Sequence, residues 1–417
     1  MSFSLFTKSG TSHFEIPKNG EELCLIIGIE SGLVRGSLVL FSQMSSSTTV
    51  AGPGIPPRIF HSVVSEIAPR EIDIHSRSSA KILSAMLDAV SSVSEKTIQE
   101  GLKITSSHSI TIPVSKIHVI FSSPWIISKT KTIKISYEKE TEVTKTIIKT
   151  IVDEERHALE QKFLADHSGS RESDLAFIEQ KIFEVKLNGY PTNHFEDKKT
   201  RELEVSFAIS ISSKSILSAI EQTIEKSVRT NSRNIEYHSS LLLQYSALRN
   251  LLTNSDNYIA IHIHNEISDL IIVKNGVCAA IASFPEGTAG LSRASSLALG
   301  QSKEITHSSL NLVAKNALHP TENLKIKSVA RKSTDLWLKQ FTDTLTAVGQ
   351  SDSTPHYVYL LTDMHYSYYE HALASLQQAK PITVTPIEKS SLDSAVSHQY
   401  KEKEDPLMSL YVFALQS

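Results

Sequence analysis

Two short apolar hairpins constrain this chain more than any other feature. The first reads Leu23-Cys24-Leu25-Ile26-Ile27-Gly28-Ile29, a polar turn at Glu30-Ser31-Gly32, and a second apolar run over 33–41. The other reads Tyr258-Ile259-Ala260-Ile261-His262-Ile263-His264, a turn, and Leu270-Ile271-Ile272-Val273, closed by Asn275-Gly276. Continuous apolar runs joined by tight small-residue turns predict strands with little solvent contact. The same hairpin opening each half of the chain points to an internal duplication.

The intervening segments supply helices and a second texture. From 79 to 102, apolar residues recur at Ile82, Leu83, Met86, Leu87, Val90, Val93 and Ile98, which is helical spacing. From 114 onward the pattern changes. A strand at Ile117–Phe121 is followed by an alternating exposed strand at 133–137 and a charged amphipathic helix over 143–164. A hairpin turn at Asn188-Gly189 and an alternating strand through Val205, Phe207, Ile209 and Ile211 complete what reads as one small α+β module. Helices over 213–228 and 241–252 precede the second hairpin. Beyond it come helices at 291–299, 310–317 and 336–348, a buried strand at 357–361 and a helix at 368–377. A last sheet strand at 382–384 and a terminal helix at 407–415 follow. The order predicts an α/β architecture of two related lobes.

A chain of 417 residues exceeds one ordinary core, and 40% hydrophobic with 21% charged residues describes a folded globular protein rather than a disordered one. A formal net charge of -3 gives no bulk attraction to nucleic acid. No apolar stretch approaches the length of a membrane span, and residues 1–14 have one lysine and no apolar core of a secretory signal. A cytoplasmic location is expected, with any contact at the inner face of a membrane made through a partner. Cys24 and Cys278, each in an apolar run, read as core thiols of a reducing compartment, and no zinc-type cysteine spacing exists. The loop at 51–57 lacks the Gly-Lys-Ser/Thr ending of a P-loop.

This layout resembles the actin-like ATPase superfamily, a two-lobed ribonuclease H-like fold, and within it the FtsA/PilM branch. The hairpin at 24–41 stands where that family has its first phosphate loop. The segment from Tyr258 to Gly276, followed by Phe284-Pro285-Glu286-Gly287, stands at the second, and Leu360-Leu361-Thr362 at the adenosine loop. The α+β module stands where FtsA and PilM insert their 1C (SHS2) domain. The resemblance implies a first lobe at 20–112, an inserted SHS2/1C-like domain at 113–212, a return to the first lobe at 213–257 and a second lobe at 258–417. It also implies inner-membrane pilus or division proteins as partners, with self-association as a further expectation. A basic amphipathic terminal helix of the FtsA kind is missing from the final residues given, which inclines the reading toward PilM.

The family's nucleotide chemistry is eroded here. Against the pattern Asp-Ile-Gly-Ser-Ser, the first loop reads Gly28-Ile29-Glu30-Ser31-Gly32. Gly28 replaces a magnesium-directing aspartate and Glu30 the close-approach glycine. A carboxylate about 5 Å from a phosphate charge costs roughly 3 kcal/mol at an effective dielectric of about 20. Against Asp-Ile-Gly-Gly-Gly-Thr-Thr-Asp, the second reads His262-Ile263-His264-Asn265-Glu266-Ile267-Ser268-Asp269, with only Ser268 and Asp269 keeping their chemistry. The adenosine loop has Asp363-Met364 after Thr362 where a Gly-Gly pair is usual. No catalytic residue, metal ligand or ATP/Mg cofactor is therefore assigned, and the chain is expected to be a pseudo-ATPase that scaffolds other proteins. The alternatives are an active polymerising ATPase and a divergent small-molecule kinase.

Other candidates have plainer explanations. His262 and His264 share one side of a strand with Glu266 nearby, which reads as a polar strand edge before it reads as a metal site. Glu154, Glu155 and His157 read as a solvated helix face. Trp125 and the Tyr366, Tyr368, Tyr369 group read as core before partner contacts.

Overall fold

The computed structural model describes residues 21–42, 56–67, 79–107, 113–166, 174–228, 234–253, 255–315, 317, 320–349, 355–376, 382–387, 390, 392–399 and 405–416. The readings made at 1–14 and at 51–55 lie outside these residues. In chain order the elements are β1 (Glu21–Ile29), β2 (Leu33–Ser42), β3 (Arg58–Glu66), α1 (Ser79–Ser107), β4 (Val114–Phe121), β5 (Ile127–Glu142), α2 (Lys145–Asp166) and β6 (Leu175–Leu187). Then come β7 (Tyr190–Pro191), β8 (Lys199–Ser213), α3 (Lys214–Val228), β9 (Ile235–Ser239), α4 (Ser240–Leu251), β10 (Tyr258–Ile263), β11 (Ser268–Lys274) and β12 (Val277–Phe284). The chain continues with α5 (Thr288–Leu299), α6 (Lys303–Ala314), α7 (Pro320–Ala347), β13 (Tyr357–Thr362), α8 (Tyr366–Ala374), β14 (Thr383–Pro386), β15 (Ser397–His398) and α9 (Pro406–Gln416).

Two sheets share one plan. The first runs β15-β3-β2-β1-β4-β9 and the second β12-β11-β10-β13-β14. In the first, β1 is antiparallel to β2 and parallel to β4, β2 is antiparallel to β3, and β4 is parallel to β9. In the second, β10, β11, β12, β13 and β14 repeat those relations in the same order. The duplication inferred from the hairpins is thus present in the topology of both lobes.

The strand period of two divides each hairpin between opposite cores. Leu25, Ile27 and Ile29 pack on Met86, Val90 and Val93 of α1 and on Ile220 and Ile224 of α3. Their neighbour Ile26 turns to the other face, where Leu241, Leu248, Leu407 and Tyr411 of α4 and α9 meet Ala260, Ile271 and Val273 of the second sheet. Ile259, Ile261 and Ile263 face away from that layer, toward Trp337 and Phe341 of α7 and Tyr369 of α8. The order of layers is therefore helices, sheet, helices, sheet, helices. Cys24 and Cys278 are both buried, as the apolar runs require.

A third sheet, β5-β8-β6-β7, carries α2 on one face through Ile148, Ile151 and Val152, which pack on Val205 and Phe207. It enters the chain between β4 and β9, so the fold is a mixed α/β two-lobed one with an inserted subdomain. The turn Asn188-Gly189 has φ of 50° and 84°, the left-handed pair that this dipeptide favours.

The structure corrects the reading in four places. Val114–Phe121, grouped with the insert, lies in the first sheet beside β1, because its buried end continues the apolar layer there. Strands β3 and β9 escaped notice, since each is short or only half buried. The segment at 382–384 is not the last sheet strand, because β15 follows and pairs with Arg58 and Ile59. His262 and His264 are not a polar strand edge, being 2% exposed each.

Candidate functional site

The alternation that buries Ile26 also carries Gly28 and Glu30 onto the interior face, and in β10 it does the same for His262 and His264. Both hairpins aim their turn ends at the layer between the lobes, so the two turns meet. The amide N–H of Glu266 donates to Ser31 Oγ at 3.1 Å. A Cβ placed on Gly32 would lie 2.2 Å from the Asn265 side chain, so the turns touch with no space between them.

A continuous chain of charged hydrogen bonds runs through the contact. The Arg35 guanidinium donates from Nε to Glu30 Oε1, from one terminal nitrogen to Asp363, and from the other to Asp405 Oδ2 at 2.6 Å. The second Glu30 oxygen lies 2.8 Å from His264 Nδ1, and His264 Nε2 lies 2.9 Å from Asp269 Oδ2. Asp269 Oδ1 accepts from Ser283 Oγ at 2.6 Å, which lies 2.8 Å from Ser123 Oγ in the first lobe. The Trp125 indole donates to the Glu30 carbonyl at 2.7 Å. His262 sits beside His264, with ring centroids 3.6 Å apart, and its Nδ1 lies 3.2 Å from the Gln244 amide.

The neighbours set the charge states. Burial alone would raise the Glu30 carboxyl, but Arg35 and the His264 hydrogen bond hold it well below the ordinary carboxylate range. Burial opposes charge on Arg35, and Asp405, Glu30 and Asp363 outweigh it, so the guanidinium stays ionised. Burial would also lower His264, yet Asp269 and Glu30 raise it to about 9. His262 goes the other way, pushed far down by burial and by the neighbouring His264 charge, and is neutral. Burial raises the Asp363 carboxyl despite the pull of Arg35.

The residues of the two turns and of the 362–363 segment divide between this contact and other partners. Gly28 is covered by α9: a Cβ there would meet Tyr411 Cε2 at 3.3 Å, so a longer carboxylate has no room. Ser268 Oγ donates to the Glu286 carbonyl at 2.6 Å and accepts from the Trp337 indole at 2.9 Å. Thr362 Oγ1 donates to the Met364 carbonyl at 2.9 Å. The amides of Thr288 and Ala289, the first N–H groups of α5, are taken by the carbonyls of His264 and Asn265 at 2.9 and 2.7 Å. Glu266 points away to Arg293, 2.6 Å from its guanidinium. Thr362, Asp363, Arg35 and Asp405 border a cavity of about 610 Å³ that also receives His61 and Lys96.

The sequence reading missed Arg35, Gln244, Asp405 and Tyr411, and also the bridging Ser123 and Ser283. Arg35 left a signal, since a guanidinium in the middle of an apolar strand must find a buried partner. Asp405 left a weaker one. It precedes Pro406 and an apolar run, and it caps α9 by accepting from the amides of Leu407 and Met408 at 3.0 and 3.2 Å. Gln244 and Tyr411 are ordinary helix residues in sequence and become site residues only through packing. Trp125, Tyr369 and Cys278 belong to the core.

The sequence matches no family model and no curated protein. Among solved structures, the chain is similar to a PilM–PilN type IV pilus biogenesis complex, at 11% identity and a TM-score of 0.57 over 94% of this chain and 98% of that one. It is also similar to the ethanolamine utilization protein EutJ from Carboxydothermus hydrogenoformans, at 8% identity and a TM-score of 0.43 over 97% and 92%. The cytoplasmic domain of EpsL of Vibrio cholerae gives 8% identity and a TM-score of 0.37 over 95% and 96%. The first of these likenesses shows a shared fold, a two-lobed α/β plan with an inserted subdomain.

Proposed function

We propose that this chain is a non-catalytic actin-like scaffold that binds partner proteins at the cytoplasmic face of a membrane machine, in the manner of the PilM side of the FtsA/PilM branch. One observation carries the reading. The place where two phosphate-gripping turns would face a nucleotide is filled by the turns themselves, joined through Glu30 and His264 and with Gly32 against Asn265. A triphosphate there would have to displace buried charged hydrogen bonds, each worth about 1.5–3 kcal/mol, before making its own. The amides of the α5 N-terminus, a natural anion site, already serve peptide carbonyls.

The inserted module is taken as the 1C (SHS2) counterpart, and the fold's likeness to a PilM–PilN complex supports a protein partner, which we place at the inner membrane as part of this reading. Among the described residues no helix is long and apolar enough to cross a membrane, so the scaffold would reach the membrane through that partner. Exposed apolar side chains are available to one: Leu297 and Leu324 are 87% and 70% exposed on α5 and α7, and Ile305 and Leu312 are exposed on α6.

Thermal unfolding with and without magnesium-ATP tests the pocket. A ligand at a hundred times its Kd adds about 2.7 kcal/mol and visibly raises Tm; the expected result is an unchanged Tm. A shift, or turnover of ATP, overturns the pseudo-ATPase reading. Crosslinking in cells tests the other half, with inner-membrane pilus or division components as the expected products.

A further inference from the structure

We propose that Glu30, His262 and His264 form a binding site for a first-row transition metal ion of the zinc or cobalt type, at the junction of the two lobes. The inference rests on the side-chain-filled cleft described above, and adds an ion to it.

Geometry comes first. One ligand atom from each of the three residues lies within 4.8 Å of the other two, and all three residues are buried. Glu30 Oε2 is 2.8 Å from His264 Nδ1 and 3.9 Å from His262 Nε2. Metal–ligand bonds of about 2.0–2.2 Å in a tetrahedral site set ligand atoms roughly 3.3 Å apart. The two separations bracket that value, so small movements of the side chains suffice.

The second observation concerns the atoms turned away from the common point. Each ligand has its other polar atom held: Glu30 Oε1 by Arg35, His264 Nε2 by Asp269, and His262 Nδ1 by Gln244. Orientation of this kind, with a carboxylate on the far nitrogen of a histidine, fixes tautomer and ring direction at metal centres. His262 would donate Nδ1–H to Gln244 with the amide turned to present oxygen. Ser240, 2.8 Å from that amide and 2.7 Å from the Tyr411 hydroxyl, can donate to the same oxygen.

Charge is the third observation. The carboxylates of Glu30, Asp269, Asp363 and Asp405 are joined through a single guanidinium and the imidazole of His264. A divalent ion at this point would add positive charge beside those carboxylates. Two imidazoles and one carboxylate favour zinc or cobalt over magnesium or calcium, which prefer oxygen alone. Glu266, suggested by sequence as the third group, is excluded by its pairing with Arg293.

The test uses the full chain, stripped with a chelator and titrated with cobalt(II), then with zinc(II). We expect visible d–d absorption saturating at one ion per chain, its loss on adding zinc, and a higher Tm with zinc than with chelator. His262→Gln should weaken cobalt binding at least tenfold, while His238→Gln, in the separate group His118, Glu236 and His238, should leave it unchanged. X-ray absorption of the zinc-loaded wild type, which needs no variant to fold, should count two imidazoles and one carboxylate. Absent absorption and an unmoved Tm in folded protein would overturn the proposal, as would binding that survives His262→Gln or disappears with His238→Gln. A Tm shift by ATP in the same protein would overturn the scaffold reading alone.

Discussion

The hairpins β1–β2 and β10–β11 occupy equivalent positions in their sheets, yet their polar residues carry opposite charges. Gly28 faces Arg35 across the first ladder and His262 faces Asp269 across the second. Glu30 and His264 each stand one residue past the end of the inner strand. In the first hairpin a carboxylate is bonded to the cation opposite; in the second a cationic imidazole is bonded to the carboxylate opposite. The two turn residues then bond to one another. Duplication alone would have set like charges face to face in the layer between the lobes. Divergence at equivalent positions instead made the halves complementary, so the two turns close on each other.

The comparison is most severely broken at Arg35. Arg35→Met leaves the carboxylates of Glu30 and Asp405 buried without their shared partner, and loss of one member of a buried ion pair costs about 3–5 kcal/mol. Asp269→Asn in the other hairpin should cost less, about 2 kcal/mol, because His264 keeps Glu30. Urea unfolding of both variants measures the difference; equal losses would mean that the hairpins are energetically alike.

Gly32→Ala asks whether contact between the turns matters in itself. Its new Cβ would fall 2.2–2.7 Å from Asn265 side-chain atoms, for which overpacking predicts about 1–3 kcal/mol. Asn265→Gly in the same chain should return most of that loss, and a double-mutant cycle with no coupling would show that the turns do not press on one another.

The smallest effect concerns the inserted module, which only one sheet has. Glu179 of β6 accepts from the Ser239 amide at 2.6 Å, and burial raises its carboxyl to about 7. The folded state therefore keeps a proton that the unfolded chain releases near pH 4.5, and stability falls as pH rises from there to about 7. Glu179→Gln keeps the acceptor and removes the penalty. It should stabilise by about 1–2 kcal/mol at pH 8 and by little at pH 4, read as the difference in Tm between the two.

Much of this architecture was legible because apolar period is a local property. Ile26 and Ile27 name opposite cores, and the same alternation carries Glu30 and His264 inward. The departures of the two turns from a glycine- and aspartate-rich pattern were legible, since they show in a short string. What they had gained was not. The partner of Glu30 lies 234 residues away, and the pairing of Arg35 with Asp405 spans 370. No window along a sequence joins such residues; only the stacking of two sheets does. For the same reason His262 and His264 looked solvated, since the helices covering their strand lie before it and at the far end of the chain.

The pairing of β15 with β3 and the seating of α9 beneath β2 and α4 have a consequence for synthesis. Emerging from the ribosome, the first sheet has its outer helices soon after, but its inner face waits for residues 405–416. Until then Ile26, Val39 and Ile120 lack the cover of Leu407, Tyr411 and Val412, and Arg35 lacks one of its counter-charges. Contacts between such distant segments form late and leave apolar surface open in the meantime. Such a nascent chain keeps this apolar face uncovered until translation delivers residues 405–416.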